Sequence, residues 1–530
     1  MMGLKKNSWL IVALFLTIST VVHAQNRIYL PFQRQVNYPL QNSLDTLGSA
    51  FHPDIYPYRT DEVDSAKWFA DVYQGDFATD KFFLSVKLNK KSKKYPIKLS
   101  VSPIGKIMAG FESGLDAKTF YQTGIGLNFS AMVGNELDIN INIKGGNSSF
   151  PSFVESYIFT NKVVPGQGWG YKSDLGYYYN NSNGYVSYSP GKYFNFTVGR
   201  GKNKFGDGYR SLLLSDIGNN MNYFRIVTNI WKFKYVNLYT QMDDLYAIPG
   251  APDVRNKKYG TTHYLSINIK RRWSVGLFET IQWMGQDSAV NRGFDPYYLN
   301  PIIFMRPVEF SLGSGDNALM GLNLSFKASN QVKIYGQVVL DEFKLSEIKS
   351  NTGWWANKYG TQIGVKYYNA FNIEGFSLQG EYNRVRPYTY SHRSSGQAYG
   401  SYNQPLAHPS GANFNEGVFI ANYYVNKFYI ELKSTFMVKG VDTDSISYGG
   451  NIFKSYAQRP ANYGIEVGQG TKRTLSTFNL KASYLLSAKA NIRIEMNLSD
   501  FNENVGGVSK NVFWARLGIR TGIFNEDWDF

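Results

Sequence analysis

The chain has 530 residues, with 56 Lys and Arg against 40 Asp and Glu, a formal charge of +16, a mean hydropathy of −0.32 and no cysteine. The missing thiols exclude a disulfide scaffold, a thiol nucleophile and any cysteine-ligated metal. Aromatic residues reach 16%, led by 40 Tyr and 36 Phe, with no long apolar run to hold them, and 50 Gly with 18 Pro point to many turns.

Residues 1–24 place Lys5 and Lys6 ahead of an apolar stretch that begins at Trp9 and continues to Val22, ending in Val22, His23 and Ala24. This is the pattern of a secretory signal peptide cut after Ala24. No later window approaches the roughly 18 apolar residues of a helical membrane span, and export without cysteine favours a bacterial envelope. Residues 25–95 are less regular. They carry Pro31, Pro39, Pro53 and Pro57, a predicted short amphipathic helix over Asp61 to Val72, and a lysine-rich run from Lys87 to Lys94 that reads as a solvated turn. This stretch is expected to be an N-terminal periplasmic segment or partial plug.

From residue 96 to 530 apolar residues recur at every second position, as in Leu137 to Ile143, Phe194 to Val198, Leu265 to Ile269, Phe428 to Leu432, Phe478 to Tyr484 and Ile492 to Met496. A period of two marks strands with two different faces. Turn clusters are read at Lys144 to Asn147, Asn180 to Gly184, Ser394 to Gly396 and Gly506-Gly507. A soluble sandwich would bury the apolar face against a second sheet, whereas a transmembrane barrel shows it to lipid.

Three features favour the barrel. Aromatic pairs at Tyr177 to Tyr179, Tyr297-Tyr298, Trp354-Trp355 and Tyr423-Tyr424 sit where interfacial girdles are expected. The export signal without cysteine fits the outer membrane. A last strand through Val512, Trp514, Leu517 and Ile519 runs toward the aromatic Phe530, like the terminal signal of outer-membrane barrels. The predicted fold is therefore all-β, an antiparallel outer-membrane barrel of about 14 to 18 strands at about 9 to 11 residues per tilted span. No repeat of fixed length supports a propeller or solenoid.

Chemistry-bearing motifs are few. His52, His263, His392 and His408 lie at no metal-ligand spacing. Gly201 to Gly206 resembles a phosphate loop but continues into Asp207-Gly208 where Lys-Ser/Thr is needed, and no G-x-S-x-G elbow occurs. His392 beside Ser394 and Ser395, and the carboxylates Asp341, Glu342, Asp442 and Asp444, read better as loop or lumen residues than as hydrolase machinery. No catalytic residue, metal or cofactor is assigned, and the chain is read as a non-enzyme.

What remains is cationic and aromatic. Arg200, Lys202, Lys204, Asp207 and Arg210 crowd one glycine-rich stretch, and Arg384 and Arg386 precede Tyr388. Such groups suit an acidic glycan. Alternatively the arginines pair with acids such as Glu309, Asp316 or Glu381 and brace a barrel wall. Lipid headgroups or acidic glycans are expected as partners, and nucleic acid is not.

The same segments carry a resemblance. Lys204 to Asp216 with its Ser-Leu-Leu-Leu-Ser strand, Asn300 to Phe310, Gly315 to Asn323, Asp341 to Leu345, Gly353 to Gly360, Asn383 to His392 and Tyr402 to Pro409 resemble the RemB gliding-motility proteins of Bacteroidota and, more remotely, the Wzi capsule-assembly family. The resemblance implies an 18-stranded outer-membrane barrel that does no bond chemistry. It further implies either support of gliding, with motility or envelope proteins as partners, or a lectin-like hold on capsular polysaccharide. A porin or transport barrel with an anion-attracting lumen is the alternative.

Overall fold

The computed structural model describes residues 28–63, 86–90, 96–114, 117–245, 255–270, 272–286, 292–303, 315–488 and 490–530. The signal-peptide reading, most of the helix expected over Asp61 to Val72, the lysine run beyond Lys90, and Glu309 lie outside these residues; a helical turn is present at Thr60–Val63.

The alternating segments become β1 (Ile97–Ser113), β2 (Lys118–Val133), β3 (Leu137–Ser148), β4 (Asn183–Tyr188), β5 (Phe194–Gly201) and β6 (Met221–Ile230). There follow β7 (Phe233–Asp244), β8 (Asn256–Ile269), β9 (Trp273–Met284), β10 (Asn317–Lys327), β11 (Val332–Glu342) and β12 (Lys358–Tyr367). The circuit ends with β13 (Phe376–Val385), β14 (Phe414–Val425), β15 (Phe428–Val441), β16 (Thr471–Ser487), β17 (Ile492–Val505) and β18 (Val508–Thr521). Each pairs antiparallel with the next, and β18 pairs with β1 from Phe513↔Ser113 to Arg520↔Lys106, closing an 18-stranded barrel. Closure leaves no open sheet edge around the circuit. A short strand, Val86–Lys90, pairs with the start of β1.

The two faces are inverted relative to a water-soluble protein. Outward-pointing Ile107, Ile125, Ile143 and Phe436 are 73%, 82%, 63% and 61% exposed, while inward-pointing Lys106, Asp138, Arg225, Lys333, Glu431 and Arg516 are buried. An apolar belt this extensive is stable only in lipid, so the fold is that of an outer-membrane barrel. One end is joined by short turns, such as 231–232 and 426–427. The other carries connections 149–182, 202–220, 343–357, 386–413 and 442–470. Short turns belong to the periplasmic side and long loops to the exterior. Trp231, Phe233, Trp273 and Phe428 point outward at the short-turn rim and form its aromatic girdle.

Several expectations are corrected here. Of the predicted girdle pairs, Tyr179 is buried and Tyr424 receives a hydrogen bond from Asn42 inside the lumen at 2.8 Å, because alternation sends one ring of each inward, while Tyr298 lies in a helical turn, Pro296–Leu299, buried against the outward-facing Ile281 and Trp283. Lys144 to Asn147 is not a turn but the end of β3; a side chain on Gly146 would strike the Thr123 carbonyl of β2, so glycine permits the close strand approach. Ser211 to Ser215 is not a strand. Leu212, Leu213 and Leu214 turn into the lumen and pack with Phe205, Tyr264, Phe278 and Tyr390 in an apolar core. The last strand stops at Thr521 rather than running on to Phe530, and residues 522–530 fold back inside the barrel.

The lumen is filled. Helix α1 (Arg34–Leu44) packs Val36 and Leu40 against Leu30, Phe32, Tyr56 and Tyr58. Its opposite face is polar because the wall it meets is polar: Gln35 reaches Glu495 at 3.1 Å and Arg34 reaches Glu431 at 2.8 Å. Around the periplasmic rim the segment is tied by Asn42 to Asn369, Asp45 to Lys327 and Lys333, and Glu62 to Lys234. The loop after β5 descends to meet it, pairing Lys204–Phe205 with Ile55–Tyr56 as a two-stranded sheet. Residues 28–63, which belong to the stretch expected to form a periplasmic segment or partial plug, lie within the barrel.

Candidate functional site

Two arrangements carry chemistry, a charged lumen and an aromatic platform on the long loops.

In the lumen, Lys333 of β11 lies between the Asp45 carboxylate of the plug at 2.7 Å and the Asp207 carboxylate of the descending loop at 2.6 Å. Burial would raise the Asp45 carboxyl, but Lys333 and Lys327 outweigh it and hold it down at about 2. Asp54 behaves oppositely. Burial and the nearby Asp207 charge push it up to about 6, although Tyr264 and Ser266 donate to it at 2.6 and 3.2 Å. A raised carboxyl contributes stability that is present below its ordinary range and lost as the pH climbs through about 6. Asp54→Asn is therefore expected to raise the thermal midpoint at pH 7.5 and to flatten its fall between pH 5 and 7; a midpoint profile identical to wild type would reject this role.

The tail 522–530 threads the same space. Glu526 meets Lys106 at 2.7 Å, Asp527 meets Arg34 at 2.6 Å and Lys433 at 3.0 Å, and Asp529 meets Lys433 at 3.0 Å.

The seven residues suggested for glycan contact are not brought together. Lys204 donates to the Gly208 and Tyr209 carbonyls, Lys202 to the Asp216 carbonyl, and Arg210 pairs with Glu416 at 2.8 Å while its backbone N–H donates to Glu381. With Asp207 these four are buried braces. Arg386 donates to the Asn357, Trp354 and Ile465 carbonyls and ties three loop segments together. Arg200, bonded to Asn222, and Arg384 share the outward parity of their strands, near the long-loop end. Glu381 inside the barrel accepts from the loop backbone, as the bracing alternative has it, whereas Arg292 grips Asp316 at 2.9 Å beside Trp283 and Tyr298 on the outer side of the wall. Asp341 and Glu342 face Lys358, Asp442 accepts from the Tyr448, Gly450 and Asn451 amides, and His392 accepts from the Ser394 amide.

In sequence the platform shows only as the girdle pair Trp354-Trp355. Trp355 lies 4.8 Å from Tyr456 and edge-on to Tyr388 at 6.0 Å, and the Arg459 guanidinium sits 4.1 Å over its ring. Trp354 adjoins it, with Lys344 5.8 Å above, and Lys358 lies 4.6 Å over Tyr456. Tyr463, Lys349 and Arg393 are exposed on the long loops, and the Arg393 carbonyl accepts from the Ser455 hydroxyl next to Tyr456. The two loops are clamped by the Trp355 N–H to the Asn462 carbonyl and the Ile465 N–H to the Gly353 carbonyl. Gly353 has φ +67, and a side chain there would meet Gly464 and Ile465 backbone, so only glycine fits this crossing. The signal available in sequence was Gly353-Trp-Trp matched to Arg459-Pro-Ala-Asn-Tyr-Gly464, two glycine-bounded aromatic turns far apart in the chain.

No protein-family model matches the chain, and no curated protein sequence is similar to it. Among solved structures it is similar to Wzi of Escherichia coli, described as an outer-membrane protein involved in group 1 capsule assembly and a carbohydrate-binding β-barrel. The TM-score is 0.54 at 13% identity, covering 94% of this chain and 100% of that one. OccK8 (OprE) of Pseudomonas aeruginosa gives a TM-score of 0.43 at 9% identity over 80% of this chain and 97% of that one. OprD of the same organism gives 0.43 at 10% over 83% and 97%. What the chain shares with Wzi at this identity is the fold.

Proposed function

We propose that the chain is a non-enzymatic outer-membrane barrel that holds an acidic surface polysaccharide on its long-loop face. The carrying observation is the Trp354, Trp355, Tyr456 and Arg459 cluster with Lys344 over Trp354 and with Lys349 and Arg393 exposed on the long loops: aromatic faces stack on sugar rings while Lys and Arg attract uronate or phosphate groups. The carbohydrate-binding Wzi barrel supports the reading as a relative in fold. Arg384, on the outer wall below the loops, would extend contact to a glycan lying along the rim, and Arg200, eight strands round the circuit, would meet one only where it wraps the rim; Lys202, Lys204, Asp207, Arg210 and Arg386 would contribute by holding the loops.

A polyuronate such as alginate should bind the purified barrel more tightly than neutral dextran, and binding should weaken as salt rises, since exposed charges are screened within about 10 Å at 0.1 M. Arg459→Gln combined with Trp354→Ala is expected to reduce polyuronate affinity about tenfold, as loss of an aromatic and arginine anchor does. Equal binding of dextran, or an unchanged double variant, refutes the platform.

The resemblance to gliding-motility proteins adds a cellular reading, support of surface movement through the same exposed face with motility or envelope proteins as partners. A deletion strain scored for colony spreading and for polysaccharide retained after washing separates the two: spreading lost with polysaccharide retained assigns motility, and polysaccharide shed into the medium assigns attachment. The second reading, an anion-attracting transport barrel, is favoured by the cations lining the lumen wall, among them Lys106, Lys433, Lys481, Arg516 and Arg520. It requires that the plug, the descending loop and the tail be displaced.

A further inference from the structure

The outer wall holds a feature that neither the lumen nor the loop platform uses. Across β12 to β15 the outward-facing positions include two glycines, Gly380 and Gly417, paired with Val365 and Phe419, and with Tyr382 and Phe436, respectively. A Cβ on Gly417 would meet nothing within 4 Å, and one on Gly380 would meet only Val365 at 3.9 Å. The wall is recessed by a side chain's depth at each. The result is an apolar hollow of about 600 Å³ lined by Ile334, Ile363, Val365, Phe419 and Phe436.

A second hollow of about 590 Å³ continues from it toward the long-loop end and shares Tyr382, Gly417 and Phe436 with the first. Its lining changes to Asn415, Ser476, Asn502, Asn504, Ser509 and Asn511. The change follows one register row: Gly417 pairs with Phe436, Phe436 with Ser476, Ser476 with Asn502, and Asn502 with Asn511. At the junction the Tyr382 hydroxyl donates to Asn415 Oδ1 at 2.9 Å.

The lower hollow lies in the lipid-facing belt, so its occupant is an acyl chain. The upper hollow sits where outer-leaflet headgroups begin. Amides and hydroxyls both donate and accept, which matches the hydroxyls of a sugar. A phosphate would call for cations, and the described residues that line this hollow include no Lys or Arg. We propose that this continuous groove binds one sugar-headed lipid of the outer leaflet, its chains over Gly380 and Gly417 and its headgroup among the asparagines. The site is separate from the polysaccharide platform, and the proposal stands whether or not that platform binds glycan.

The test reconstitutes the full chain in nanodiscs of phosphatidylcholine containing a minor share of dihexosyl diacylglycerol, with bound lipid measured by native mass spectrometry. Wild type is expected to retain the dihexosyl lipid several-fold above its bulk share. Gly417→Trp, which has room for its ring only by filling the groove, should abolish retention, with Gly380→Leu as the equivalent filling variant should the first fail to insert. Asn502→Leu with Asn511→Leu should keep an acyl lipid but lose the preference for the sugar head. No enrichment on wild type, enrichment that survives the inserted filling variant, or equal retention of phosphatidylcholine would each overturn the proposal.

Discussion

Lys333→Met will loosen the plug from the barrel wall. The ammonium of Lys333 is the shared counter-ion of Asp45 and Asp207, at 2.7 and 2.6 Å, and all three side chains are no more than 1% exposed. Methionine keeps most of the volume but leaves two buried carboxylates facing one position. Breaking a buried pair in this way costs about 3–5 kcal/mol, because the surviving charge is no longer compensated. Asp45 keeps Lys327 at 3.0 Å and Asp207 keeps the Asn323 amide at 2.9 Å, which sets the effect at one site rather than collapsing the barrel. The expected readouts are a lower thermal midpoint and new protease cleavage within residues 28–63. Adding Asp45→Asn and Asp207→Asn should recover most of the loss, since neutral amides in the same place need no cation. Lys327→Met should cost less, because Asp45 retains Lys333. If Lys333→Met melts with wild type and its plug stays protected, the lysine does not link plug, loop and wall.

That linkage shows which parts of the molecule could be seen in the sequence. Strand alternation is a local property: Leu137 to Ile143 declares two faces without any knowledge of its neighbours, and the barrel, its outward apolar belt and its approximate size follow from it. What fills the barrel is not local. Arg210 looks like a surface cation in its glycine-rich stretch, and its burial depends on Glu381, Glu416 and Asp529, all more than a hundred residues downstream. Likewise α1 carries Arg34, Gln35, Gln41 and Asn42 on a buried face, a composition that in a soluble protein marks an exposed one. In a polar lumen the usual reading of polarity as surface fails, so the plug was legible as irregular but not as docked. The platform was missed for a related reason: Trp354-Trp355 fits an interfacial girdle equally well until Arg459 and Tyr456 are brought over the rings by a second loop.

Ending the chain after Thr521 should have a still larger effect than any single substitution. The tail supplies Glu526 to Lys106 at 2.7 Å and Arg520 at 3.3 Å, Asp527 to Arg34 at 2.6 Å and Lys433 at 3.0 Å, and Asp529 to Arg210 at 3.4 Å and the Tyr209 hydroxyl at 2.6 Å. Burial alone would raise these three carboxyls, but the surrounding cations outweigh it and hold all of them below the usual carboxylate range. A depressed carboxyl contributes stability that is present above its ordinary range and is lost as the pH falls toward the folded value. The wild-type barrel should therefore lose stability steeply in acid, and Glu526→Gln with Asp527→Asn and Asp529→Asn should remove much of that slope. Without the tail, Arg34, Lys433, Lys481, Arg516 and Arg520 keep only Glu431 and Glu495 among the acids that pair with them here. Each stranded charge is worth about 3–5 kcal/mol when a buried pair is broken, less where several relax together. The truncated chain is expected either to fail to reach its heat-resistant folded form or to insert with a lumen of net positive charge; in the second case the plug loses its Arg34–Asp527 tie and the descending loop its ties to Asp529, and once both are displaced a planar bilayer should register anion-selective current where wild type shows none. A truncated barrel as stable as wild type and equally silent would mean that the cations along the wall do not need the tail as their counter-charge.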